Sequence, residues 1–96
     1  MFVVLLEFSN NKSQAVKFMQ GHNEWLRQGF DDGVFLLAGG LEPKAGGALV
    51  AHNTSRSELE LRVNADPFVV QGVVSAKVLE ITPARADARL GFLAAP

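Results

Sequence analysis

The sequence predicts an α+β domain: a four-stranded antiparallel sheet with two helices on one face, in the split β-α-β order. Three observations lead there. Short apolar runs rich in β-branched and aromatic residues open the chain at Phe2 to Leu6 and recur at Val34 to Ala38, Ala48 to His52 and Val74 to Ile81. One long stretch, Ser13 to Asp32, changes to a helical period. A shorter helical stretch, Arg56 to Val63, follows a cap signal, so the order is strand, helix, strand, strand, helix, strand.

Each element has a local reason. Phe2-Val3-Val4-Leu5-Leu6 is too short for a typical helix and reads as a central strand. Ser9-Asn10-Asn11 supplies turn and cap residues. At about 100° per residue, Val16, Met19, Leu26 and Phe30 share one face of the long helix, which makes them its expected apolar stripe. Gly29 weakens the end of that helix and Gly33 suits a left-handed stop. The second strand is expected to end at Gly39-Gly40, with Leu41 to Gly46 as a connection and the third strand as its hairpin partner. Ser55 and Glu58 have capping-box spacing. Asp66 before Pro67 suits the cap of a helical turn over Pro67-Phe68-Val69-Val70, and Pro83 stops the last strand.

The residue counts narrow the functional classes. Nine basic against ten acidic residues, spread evenly, leave no electrostatic footprint for a phosphate backbone, so nucleic acid is not an expected partner. The absence of cysteine rules out disulfides and thiolate zinc sites and fits a reducing cytoplasm. Met1 to Phe8 lacks a basic leader and is interrupted by Glu7, so neither a signal peptide nor a membrane span is expected. With no tyrosine, a general acid must be His, Asp, Glu or Lys. Ninety-six residues make one domain, with 84–96 as an Ala/Arg/Asp-rich tail suited to a helical turn or two or to a docking arm. A domain of this size gains from pairing, and Val3, Leu5, Val34, Leu36 and Leu49 supply apolar side chains for both sheet faces. A sheet-to-sheet homodimer is therefore expected.

Two side chains carry the candidate chemistry. His22 sits mid-helix at a boundary position, on the flank of Phe18, Trp25 and Gly29. Taken alone it suits either a half-buried structural histidine or a general acid-base. Asp66 suits a helix cap, and a capped carboxylate is also rigid enough to orient an imidazole. Trp25, one turn beyond His22, suits a pocket wall, and so does packing. Gly39 and Gly40 allow a ligand to approach the backbone, and their N–H groups are candidates to hold an oxyanion. No phosphate loop or dinucleotide fingerprint occurs. His52, with His22 and Asp66, could supply three metal ligands, but no short-range ligand spacing supports a metal site.

Together these pieces resemble the YCII-related family over roughly residues 1–83. They are the strand Phe2 to Leu6, His22 with Trp25-Leu26, Gly33 with Leu36-Leu37-Ala38-Gly39-Gly40, and Ala65-Asp66-Pro67-Phe68 with Gly72-Val73. The resemblance implies a ferredoxin-like fold of the dimeric α/β-barrel kind. It also implies a catalytic dyad of His22 and Asp66 in a small-molecule pocket that includes Trp25, Gly39, Gly40 and Phe68. Such relatives move protons on small cyclic or aromatic compounds without a cofactor, which makes a lyase or isomerase the expected function. A non-catalytic small-molecule binder with the same pocket and dimer is the alternative. The chain departs from the family pattern at Gly40, where proline is usual, and at Val69-Val70, where a small residue is usual.

Overall fold

A computed structural model of the chain describes residues 1–94. Strand β1 (Phe2–Phe8) leads through a 3-10 turn (Lys12–Gln14) into helix α1 (Ala15–Asp31). The hairpin β2 (Phe35–Leu41) and β3 (Gly46–Ala51) follows, then α2 (Arg56–Asn64), the single turn α3 (Pro67–Val70) and β4 (Val74–Glu80). A 3-10 turn at Ala88–Leu90 and a last turn, α4 (Gly91–Ala94), complete it. The sheet runs β2-β3-β1-β4 with every neighbouring pair antiparallel. This is the expected α+β, ferredoxin-like order. No helix among the described residues is long and apolar enough to cross a membrane.

Strand alternation divides the side chains into two sets. Phe2, Val4 and Leu6 of β1 are buried, as are their register partners Leu49 and Ala51 of β3. Leu59 and Val63 of α2 and Phe68 of α3 complete that core, fixing both helices on the same face. The alternate residues, Val3, Leu5, Leu37, Val50 and Leu79, lie on the other face. Leu37 there is 58% exposed and Leu79 39%. Among the described residues no helix packs on this face, which also carries Glu7 and Lys77.

Two expectations change. Of the stripe Val16, Met19, Leu26 and Phe30, only Leu26 packs against the core: Val16 is 88% exposed, and Met19 and Phe30 are each about two-fifths exposed. The face turned to the core is instead the flank of Ala15, Phe18, Trp25, Leu26 and Gly29. The reason is the close approach that Gly29 allows. A Cβ added there would fall 2.2 Å from the Phe35 ring, so Phe35 packs directly on the helix backbone and turns the Gly29 side inward. The hairpin strands are also longer than expected, running through Gly39-Gly40 and Gly46-Gly47. Glycine weakens a strand without forbidding one.

Caps fix the remaining ends. Ser55 Oγ accepts the N–H of Glu58 at 3.1 Å and donates to its carboxylate, which starts α2. Gly33 takes the expected left-handed conformation after α1, at φ 74°. Arg62 of α2 reaches Asp32 at the end of α1 at 2.9 Å, and its guanidinium lies over the Phe35 ring.

Candidate functional site

Asp66 is the only charged side chain wholly buried among the described residues. It caps α3: the extended backbone at Asp66 lets Oδ1 accept the N–H of Phe68 at 3.0 Å, and Pro67 stands at the first helical position, where its missing N–H costs nothing. The cap fixes the carboxylate to within one rotamer. The same Oδ1 lies 2.9 Å from His22 Nδ1, joining residues 44 apart in the chain.

Burying a carboxylate is costly unless it is paired and hydrogen-bonded. Here the imidazole and the cap N–H both serve Oδ1, while Oδ2 has no protein partner. An ionised carboxylate only accepts, so with Asp66 ionised this contact takes its hydrogen from His22 Nδ1, and the neutral ring then carries its lone pair on Nε2.

The ring's orientation is fixed as well. Phe68 stacks on His22 with centroids 4.0 Å apart and planes 5° from parallel, and Trp25 lies 5.9 Å away. The Trp25 indole N–H donates to the Arg62 carbonyl at 2.9 Å, tying α1 to the end of α2 immediately before Asp66. Gly21 completes the fit. A Cβ there would meet Pro67 Cγ at 3.1 Å, so glycine beside His22 lets α1 approach the turn that carries Asp66.

His22 forms part of the wall of a cavity of about 420 Å³ between α1 and the β2–β3 hairpin. Its α1 wall is Met19, His22, Asn23 and Leu26, one helical face by spacing. Met19 and Leu26 of the expected apolar stripe thus face this space. Phe68, Phe8 and Val74 close one side, and the floor is the glycine- and alanine-rich hairpin backbone. Among the described residues, His22 and Asn23 bring the only polar side chains to the lining.

Of the residues expected in the pocket, Gly39, Gly40 and Phe68 line it. Trp25 does not. Its indole is turned toward Phe35, with centroids 5.1 Å apart, and its N–H is already spent on Arg62, so it supports His22 from behind. Gly39 and Gly40 are strand residues, whose N–H groups lie in the plane of the sheet and not upward into the cavity. That disfavours them as an oxyanion hole and leaves the Asn23 amide as the side-chain donor beside His22. His52 stays apart, edge-on to Phe92 of α4 at 5.6 Å, and no group of three or more potential metal ligands gathers among the described residues.

Gly21 and Asn23 are absent from the sequence-derived site. Gly21 carried a usable signal, since a glycine inside a helix calls for a packing reason. Asn23 carried none, being one polar residue among several on a solvent-facing arc.

A family model for the YCII-related domain matches residues 1–83. No curated protein matches the chain at a significant level. Among solved structures, 5-chloro-2-hydroxyhydroquinone dehydrochlorinase from Burkholderia phenoliruptrix AC1100, in complex with 2,5-dihydroxybenzoquinone, superposes with a TM-score of 0.65. The match is 17% identical and covers 84% of this chain and 93% of that one, a likeness of fold. The chain belongs to the YCII-related family.

Proposed function

We propose that this protein is a cofactor-independent lyase or isomerase that moves a proton on a small cyclic or aromatic compound, with His22 as general base and Asp66 as the group that orients it. The observation that carries this is the 2.9 Å contact between His22 Nδ1 and Asp66 Oδ1 at the wall of a cavity. With Nδ1 committed to Asp66, Nε2 is the nitrogen left for a substrate. It takes a proton from an acidic carbon or hydroxyl, and the imidazolium so formed sits against a buried carboxylate that stabilises its charge. The electron pair left on the ring either expels a leaving group or accepts the proton back at another atom; the first is elimination, the second isomerisation. A ring that fills the largely apolar cavity displaces water from His22, which strengthens the electrostatic coupling. The dehydrochlorinase that shares the fold is named for a hydroxylated, chlorinated ring, which supports the same substrate class here.

We further propose a homodimer, formed sheet to sheet and working in the cytoplasm. The outer sheet face supports it: Leu37 and Leu79 are exposed there beside the half-buried Val3, Leu5 and Val50, and a domain this small gains from covering such side chains.

The test of the chemistry is hydrogen–deuterium exchange at carbon. Hydroxylated aromatics and unsaturated lactones are incubated in D₂O with wild type, His22→Ala and Asp66→Asn, and label is read by NMR. Exchange by wild type that both variants lose is the expected result. Probes that bind and never exchange would instead assign the cavity to a non-catalytic binder.

A further inference from the structure

We propose that Gly40 sets the size of the ring compound the cavity accepts, which makes it the specificity-determining residue of the site. This rests on the reading of the cavity beside His22 as the ligand site. Register places Gly40 opposite Gly47 and Ala38 opposite Leu49, and Leu49 in turn opposite Val4. Leu49 and Val4 are buried under the helices, so Ala38, Gly40 and Gly47 face the same way. Elsewhere this face carries Leu, Val and Phe. At the mouth of the hairpin it carries almost no side chain, and that is where the cavity lies.

The hairpin glycines are not equivalent. A Cβ on Gly46 would fall 2.0 Å from the Leu6 carbonyl oxygen, and its φ of 133° is one that other residues rarely adopt, so the backbone demands glycine there. A Cβ on Gly47 would meet the Gly39 carbonyl oxygen at 3.3 Å, a tight fit. A Cβ on Gly39 or Gly40 meets nothing within 4 Å, and neither is among the positive-φ residues, but alternation turns Gly39 to the opposite sheet face and only Gly40 to the side of the helices. Neither strain nor collision calls for glycine at 40, although glycine weakens a strand. What glycine provides is empty volume above a flat stretch of peptide backbone. A planar ring whose acidic group meets His22 Nε2 lies over that floor, and a compact apolar substituent on it occupies the space above Gly40. The accepted class is therefore a small hydroxylated ring bearing such a substituent.

The test uses hydroquinone, methylhydroquinone and tert-butylhydroquinone under anaerobic, reducing conditions, with wild type, Gly40→Ala, Gly40→Val and Gly40→Leu. Binding is read from the fluorescence of Trp25, the sole tryptophan in a chain without tyrosine, and from the NMR signals of His22. Wild type should bind all three. Gly40→Val should hold hydroquinone within about threefold of wild type while weakening tert-butylhydroquinone by roughly tenfold or more, with the Ala and Leu variants on either side. Each variant should unfold at or above the wild-type temperature. Equal losses for every probe, no loss for any, or a lower unfolding temperature in the Ala variant would overturn the assignment of Gly40. Failure of every probe to perturb wild type would sink the ligand-site reading itself, before any variant is compared.

Discussion

Asp66 has two structural tasks and one proposed chemical task, and two substitutions separate them. Asp66→Asn keeps an oxygen to accept the Phe68 N–H and the His22 Nδ1–H, since asparagine and aspartate rank together as caps. It removes the charge from a wholly buried site, where one carboxylate oxygen already lacks a protein partner. The loss of ionic attraction and the relief of desolvation oppose each other, so the folding free energy should move by no more than about 1 kcal/mol. Asp66→Ala loses the cap, about 1 kcal/mol. It also strands Nδ1 of a ring only 13% exposed, a further 1–3 kcal/mol or so. The sum, about 2–4 kcal/mol, corresponds to a fall on the order of 10–20 °C in unfolding temperature for a domain of this size. Urea titration and calorimetry give both values directly. Turnover, once a substrate is in hand, should fall on the order of a hundredfold or more in both variants. The reasoning fails if Asn destabilises as much as Ala, or if Asn leaves turnover intact.

Three other outcomes follow from the fold. Gly29→Ala should destabilise by about 1–3 kcal/mol in urea titration, because its Cβ would fall 2.2 Å from two atoms of the Phe35 ring; a neutral result would mean that α1 does not pack as described. Leu37→Glu places a charge on the outer sheet face without touching the core. Analytical ultracentrifugation should then find a folded monomer where wild type is a dimer, and a wild type that stays monomeric when concentrated would remove the sheet-to-sheet pairing. Hydrogen bonds from Arg62, and next from Gln28, hold the Asp32 carboxyl below the usual aspartate range. A lowered folded-state value adds stability above that range and loses it as pH falls through the lowered value. Asp32→Asn should therefore flatten part of the stability loss below about pH 4, by a small amount because the pair is exposed to solvent and salt.

Strand and helix types were legible because apolar runs, caps and turn residues agreed along the chain. Asp66 was legible twice, as a cap through the Asp-Pro pair and as a partner of His22 through the family resemblance, and the same oxygen makes both contacts. The orientation of α1 was not. A helical wheel finds the most apolar arc, but Phe35 seated on Gly29 turned the neighbouring flank inward, and the arc through Met19 and Leu26 became a cavity wall. Trp25 was misplaced for a related reason: only the tertiary structure reveals that Arg62 offers it a carbonyl. Gly39 and Gly40 read as a strand end where a ligand could approach the backbone, and the continuation of the strand through them was not legible because glycine weakens a strand without forbidding one.

In the proposed chemistry, Asp66 fixes the proton of neutral His22 on Nδ1 and leaves a basic Nε2 for the cavity. Long-range ¹H–¹⁵N correlation spectra of the histidine rings test it most directly, with His52, the second of two histidines, as the internal reference. Neutral His22 should show a protonated Nδ1 and an unprotonated Nε2, ring probes should shift Nε2 first, and Asp66→Ala should abolish the preference. A neutral His22 protonated on Nε2, or spectra unchanged by Asp66→Ala, would contradict it.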